Sequence, residues 1–200
     1  MPYESYISAR DAAWNTLIAC RVAELPVRPS QICKHYNWIL ADYVAGRESI
    51  DLLELSALTE KTDGFCTVTE NNVYIFFDRS MPTERQRFTV AHEIGHLVLG
   101  HVGRGMTAVE RREPNRTERI EERQANQFAA RLLAPSCVLH EIGAVTPEQI
   151  QALCGISRQA AEFRARRMRE LERRNCFYFH PLEQQVVRQF SLYIAVVRRG

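Results

Sequence analysis

The stretch Arg87-Phe88-Thr89-Val90-Ala91-His92-Glu93-Ile94-Gly95-His96-Leu97-Val98-Leu99-Gly100-His101 decides how this chain reads. Phe88, Ala91, Ile94, Val98 and Leu99 recur at helical spacing and supply one apolar face, and Gly100 is placed to end the helix. His92 and His96 lie four residues apart, so both imidazoles rise from one side of that helix and can reach a single Zn2+ at about 2.0–2.1 Å. Glu93, one position after the first histidine, leans beside the open coordination position. A carboxylate there can take the proton of a metal-activated water and later pass it to a leaving amine, which is the chemistry of peptide hydrolysis.

Two imidazoles make an incomplete site, because a catalytic zinc ordinarily keeps three protein ligands and one water. His101 follows His96 by five residues and does not match the six-residue spacing, with a helix-breaking glycine, that brings in a third histidine. Glu121 and Glu122 lie on the next predicted helix, which runs from about Glu118 to Leu133 and ends at Ala134-Pro135. Glu122 shares a face with Ala125, Asn126 and Ala129, small enough for close approach to the first helix, whereas Glu121 points about 100° away. Helical geometry therefore favours Glu122 over a surface role paired with Arg119 or Arg123. Asn126, one turn on, can accept a hydrogen bond from the outer ring nitrogen of a ligand histidine. For the group that stabilises a developing oxyanion, His140, Tyr74 and His101 are all candidates, and the sequence does not choose among them.

Working outward, Phe65-Cys66-Thr67-Val68 and Val73-Tyr74-Ile75-Phe76-Phe77 flank Glu70-Asn71-Asn72 and read as a β-hairpin. Val73–Phe77 is either a sheet edge open to an extended peptide or an internal strand. Asp78 or Ser80 is expected to cap the following helix, with Pro82 in its first turn. Upstream, residues 4–25 read as an amphipathic helix stopped at Leu25-Pro26, a short helix begins at Ser30, Trp38–Tyr43 is a strand, and Ile50–Lys61 is helical or irregular. Downstream, residues 103–118 read as an exposed Arg-rich loop. Thr146-Pro147-Glu148 starts a short helix, Gly155-Ile156-Ser157 breaks it, and a second helix runs to about Arg174. Cys176–Phe179 and Phe190–Val197 are expected strands joined across His180-Pro181. The whole is α+β: a small sheet packed on the active-site helix in residues 1–140, and a helix-turn-helix-like and β segment over 141–200.

The 200 residues are 46% hydrophobic and 25% charged, the balance of a globular chain with one sizeable core, which excludes disorder and collagen-like repeats. Net charge is +2, but 24 of the 26 basic residues are Arg, and the balance shifts from −4 over residues 1–100 to +6 over 101–200. Six scattered cysteines form no CxxC pair and read as thiols in a reducing compartment. The opening MPYESYISARDAAW carries charges where a signal peptide needs an apolar run, and no apolar stretch approaches a membrane span, so a cytoplasmic location without membrane attachment is expected.

The run Arg87–His101, followed by Glu122-Arg-Gln-Ala-Asn-Gln-Phe-Ala-Ala-Arg-Leu-Leu-Ala-Pro135, resembles the ImmA/IrrE family of zinc metallopeptidases. That resemblance implies a zincin-like fold of gluzincin type with one zinc per chain, held by His92, His96 and Glu122, and Glu93 as catalytic base. It also implies a protein substrate, a helix-turn-helix repressor of a mobile element or stress regulon. Ala134 departs from the family, which usually has Met before the proline. A rival reading comes from the Arg-rich helix pair at 146–174, whose Arg158, Arg164, Arg166, Arg167 and Arg169 could neutralise phosphates. On that reading the chain is a DNA-associated regulator or a silent binding module. The apolar Ile150, Leu153, Ile156, Ala160, Phe163 and Leu171 favour packing or partner binding over DNA for this pair.

Overall fold

The computed structural model describes residues 2–107, 116–177 and 179–199. The chain opens with helix α1 (Pro2–Ala19) and α2 (Pro29–His35), then strand β1 (Ile39–Asp42) and α3 (Arg47–Leu52) with a 3-10 turn at Ser56–Leu58. Strands β2 (Gly64–Val68) and β3 (Val73–Phe77) form the hairpin, followed by α4 (Thr83–Val98) and the two-residue β4 (Met106–Thr107). Helices α5 (Arg116–Leu133), α6 (Ser136–Ile142), α7 (Pro147–Cys154), α8 (Arg158–Arg173), α9 (Pro181–Gln189) and α10 (Ser191–Val197) complete it. Fold class is α+β, as the periodicity implies.

Among the described residues the sheet has the order β1-β3-β2-β4, with β1 parallel to β3 and the other pairs antiparallel. β3 is therefore internal, its two sides taken by β1 and β2, and offers no edge to a peptide. Phe65 pairs with Phe76 and Cys66 with Ile75, so side chains alternate between two buried layers. Cys66 and Ile75 join the main core, while Phe65 and Phe76 meet Ile50 in a smaller cluster on the opposite face. That main core contains Leu17, Ile94, Phe128, Ile150, Ala161 and Ile194, so one continuous apolar interior includes residues from both sides of position 140.

Helix α1 ends at Ala19, seven residues before the proline expected to stop it. Arg21 takes φ 52° and the Arg21 and Val22 amides donate to the Ile18 and Leu17 carbonyls, a left-handed cap built without glycine. Gln189 Nε2 on α9 donates to the Leu17 and Val22 carbonyls and completes it. At α4 the N-cap is Pro82 and no side chain caps it; Asp78 Oδ1 instead accepts from the Ser80 amide. The Arg-rich loop has Met106–Thr107 paired to β2, and its residues 108–115 lie outside the described residues.

The expected strand at Phe190–Val197 is instead helix α10 from Ser191 onward, with Phe190 joining it to α9. Leu182, Val186, Phe190 and Ile194 are four apart and turned to the core, a helical period that outweighs the β-propensity of the Tyr-Ile-Ala-Val-Val run. His180 starts α9, its ring accepting from the Leu182 amide, with Pro181 in the first turn. The described residues of Cys176–Phe179 form no strand, and Tyr178 lies outside them.

The glycine inside the two-histidine motif has a packing reason. A Cβ at Gly95 would stand 3.0 Å from the Phe128 ring and 3.2 Å from the Ala125 backbone, so α4 and α5 approach closely there. Gly95→Val is expected to cost about 1–3 kcal/mol by overpacking, read as a lower urea midpoint at unchanged slope. Arg87 ties the same helix to the rest, donating to the Gly155 carbonyl at 2.9 Å and the Val27 carbonyl at 2.7 Å.

None of the six cysteines is disulfide-bonded. Burial pushes the Cys33, Cys137 and Cys154 thiols up to about 12. At pH 8 only about one in ten thousand of each is thiolate, the reactive form. Iodoacetamide at pH 8 should therefore label the exposed Cys176 in the folded chain and reach these three only on unfolding, as peptide mass mapping will show; labelling of Cys137 as fast as Cys176 would contradict their burial. No helix among the described residues is long and apolar enough to cross a membrane.

Candidate metal centre

His92 and His96 on α4 and Glu122 on α5 bring three donor atoms together. The two Nε2 atoms are 3.0 Å apart, His92 Nε2 lies 3.2 Å from Glu122 Oε2, and His96 Nε2 lies 3.1 Å from Glu122 Oε1. A tetrahedral ion with bonds of about 2.0–2.1 Å needs donors about 3.3 Å apart, so this triangle is close to the size of the coordination face that zinc requires. They also form the one such cluster of potential ligands found among the described residues.

Hydrogen bonds behind the imidazoles assign their tautomers. His92 Nδ1 donates to Asn126 Oδ1 at 3.1 Å, which leaves its Nε2 with a lone pair. On the other side Gln124 Oε1 can only accept, so His101 Nε2 donates to it at 3.0 Å. His101 Nδ1 then accepts from His96 Nδ1 at 3.2 Å, and His96 Nε2 is likewise left with a lone pair. Burial and the neighbouring His96 bring His101 down to about 4, so the relay holds it neutral near pH 7. Two nitrogen lone pairs and a carboxylate therefore converge, an arrangement that is repulsive unless a cation or a proton sits among them.

The electrostatics agree. Burial opposes charge on His92, but the carboxylates of Glu122 and Glu93 outweigh it and His92 binds its proton more tightly than an ordinary histidine. Glu122 is also partly buried, yet its bonds to both imidazoles hold it well below the usual carboxylate range.

Glu93 is 5% exposed, and burial pushes its carboxyl up. The thiol of Cys66 on β2 donates to it, while its Oε2 is buried with no hydrogen-bond partner. An orphaned carboxylate oxygen lining a cleft is the state a proton acceptor needs before substrate and water arrive. The cleft, of about 220 Å3, is lined by all three donors, Glu93, Asn126, Phe88 and Thr89, with the Arg85–Asp63 ion pair of 2.6 Å at its side. Arg85 and Thr89 precede His92 by seven and three residues and so share its face, a signal the helical period contained; Asp63 just before β2 and Gly64 at its start carry none.

The three oxyanion candidates are not brought to this cleft. His140 stacks on Phe177 at 4.0 Å and pairs with Glu172 at 3.5 Å, and Tyr74 stacks on Phe76 within the sheet and accepts from Asn72. His101 stands behind His96, on the side away from the donor triangle.

Residues 45–166 match the family model of the IrrE N-terminal-like domain, a peptidase family. Over 137 residues the chain is 32% identical to the radiation response metalloprotease IrrE of Deinococcus radiodurans, an alignment covering 68% of this chain and 38% of that protein. The match thus spans well under half of that relative's length.

Proposed function

Since the chain belongs to the peptidase family of IrrE N-terminal-like domains, we propose that it is a zinc-dependent endopeptidase of gluzincin type, with His92, His96 and Glu122 as metal ligands and Glu93 as catalytic base. The observation that carries this reading is the convergence of three lone-pair donors within 3.2 Å of one another beside a buried carboxylate with one unpartnered oxygen.

Zinc bound there would supply Lewis acidity, polarising the scissile carbonyl and lowering the pKa of water towards about 7. Glu93, whose burial raises its affinity for a proton above that of an ordinary carboxylate, takes one from the attacking water and returns it to the leaving amine. Asn126 holds His92, and the Gln124–His101 pair holds His96, with Nε2 forward. The substrate is a protein, and we take it to be a helix-turn-helix repressor acted on in the cytoplasm, where six cysteines outside any disulfide persist.

Metal analysis is expected to give one zinc per chain, and the zinc-loaded protein should cut a helix-turn-helix repressor encoded beside it; a metal-free chain after zinc loading and gel filtration would sink the assignment. His101→Ala should weaken zinc binding about 10–100-fold, the usual cost of removing a group that orients a ligand. Chelator competition reads this directly, and unchanged affinity would remove His101 from the relay.

A further inference from the structure

We infer that the larger cavity running from the candidate metal centre between α4, α5 and α8 is the groove that seats the substrate chain on one side of the scissile bond, and that it takes a large apolar residue with an acidic neighbour. The inference rests on the metallopeptidase reading and names the substrate class for it.

The cavity measures about 750 Å3 and shares Arg85, Phe88 and Asn126 with the metal cleft, so the two are continuous. Along α5 the metal ligand Glu122 is followed on the same face by Asn126 and then Ala130, which lines the cavity. Eight helical residues rise about 12 Å, the reach of three to four extended residues at about 3.3 Å each. The groove therefore receives side chains within about four residues of the bond being cut.

Its floor and walls are apolar: Phe88, Ala130, Leu133, Ile156, Ala160 and Phe163. Phe163 is 58% exposed although the opposite face of its own helix, with Ala161, Ala165 and Met168, is buried. An aromatic ring left at the lip of a concave apolar site is suited to an entering side chain. Four arginines, Arg85, Arg131, Arg164 and Arg167, line the groove against one carboxylate, Glu84. Arg85 is paired with Asp63 and Arg167 with Glu170, while Arg131 and Arg164 donate to the backbone carbonyls of Gln127 and Ala130. With Asp63 and Glu170 set beside Glu84, the arginines of this wall exceed the carboxylates that line it or pair with it by one, an excess that favours an acidic residue beside the apolar one. The same helix, α8, is the second of the helix-turn-helix-like pair. Its cavity side, Gln159, Ala160, Phe163, Arg164 and Arg167, is one wall of a concave groove, whereas a helix that reads bases must project into the major groove of a duplex. The observations thus favour a peptide over a duplex.

The test uses the intact zinc-loaded chain. A Glu93→Gln form is applied to an array of decapeptides varied at each position, and the native form is given the same peptides in solution with the cuts mapped by mass spectrometry. Bound peptides are expected to be enriched in Leu, Ile or Phe next to Asp or Glu, with native cuts within four residues of that pair. Ala130→Trp, on the exposed side of α5, fills the groove, and Phe163→Ser removes its lip. Each should weaken binding of those peptides at least about tenfold with zinc content unchanged. Binding without apolar preference, or binding that survives both substitutions, overturns the groove, as does a DNA duplex that binds in place of the peptides. Peptides bound as expected but never cut would leave the groove standing and refute the metallopeptidase reading. Cuts with no sequence preference would do the reverse, and neither binding nor cutting would overturn both.

Discussion

Glu93→Gln is expected to retain one zinc per chain, to lose about 10^2–10^4-fold in kcat on any protein substrate, and to unfold at the same or a higher temperature than the native chain. The loss in rate follows from removing the group that accepts the water's proton. Its stability follows from the same burial: Glu93 is 5% exposed and one of its oxygens has no partner, so its charged form is costly in the folded state. An amide of equal shape removes that cost and can still accept from the Cys66 thiol. Loss of activity combined with undiminished stability separates a catalytic group from a structural one. Turnover within tenfold of native would refute the assignment of Glu93 as base, and would also be the result if metal were held here without any role in turnover.

Glu122→Ala is expected to cost more zinc affinity than the roughly 10–100-fold of an outer partner such as His101, because it removes a donor and leaves two imidazole lone pairs facing each other without a counter-charge. The native chain should gain about 2.7 kcal/mol of stability at free zinc one hundred times its dissociation constant, seen as a rise in thermal midpoint that EDTA reverses. That rise should vanish in Glu122→Ala at the same zinc concentration. Alanine at the neighbouring Glu121, which contributes no donor to the triangle, should leave it in place. A zinc-dependent rise of equal size in both variants would mean that some other side chain completes the site.

How much of this was readable beforehand depends on the range of the interaction concerned. The HExxH helix, the small-residue face of the next helix and the hairpin are written in periods of four and two, so local spacing suffices to find them. His92, His96 and Glu122 meet because Gly95 lets α4 approach the Ala125 backbone, and both sides of that contact carry visibly small residues. The helices of the last twenty residues were legible too, in the spacing of Leu182, Val186, Phe190 and Ile194, but β-branched propensity obscured it.

Other features had no local signature. The end of α1 is set by Gln189, 172 positions from the Leu17 carbonyl it caps. β3 is internal because β1, more than thirty residues upstream, pairs along it in parallel. His101 looked like a spare ligand or an oxyanion donor, and its place behind His96 follows from Gln124 on another helix.

The sequence by itself therefore determined which side chains could bind a metal and which could accept a proton, since those are properties of residue type and helical spacing. Only the tertiary structure decided which nitrogen each histidine presents, that Glu93 is dry and short of a partner, and that the arginine-rich α8 forms one wall of a groove beside the site. Tautomer, burial and concavity are set by atoms from distant segments, and no local period encodes them.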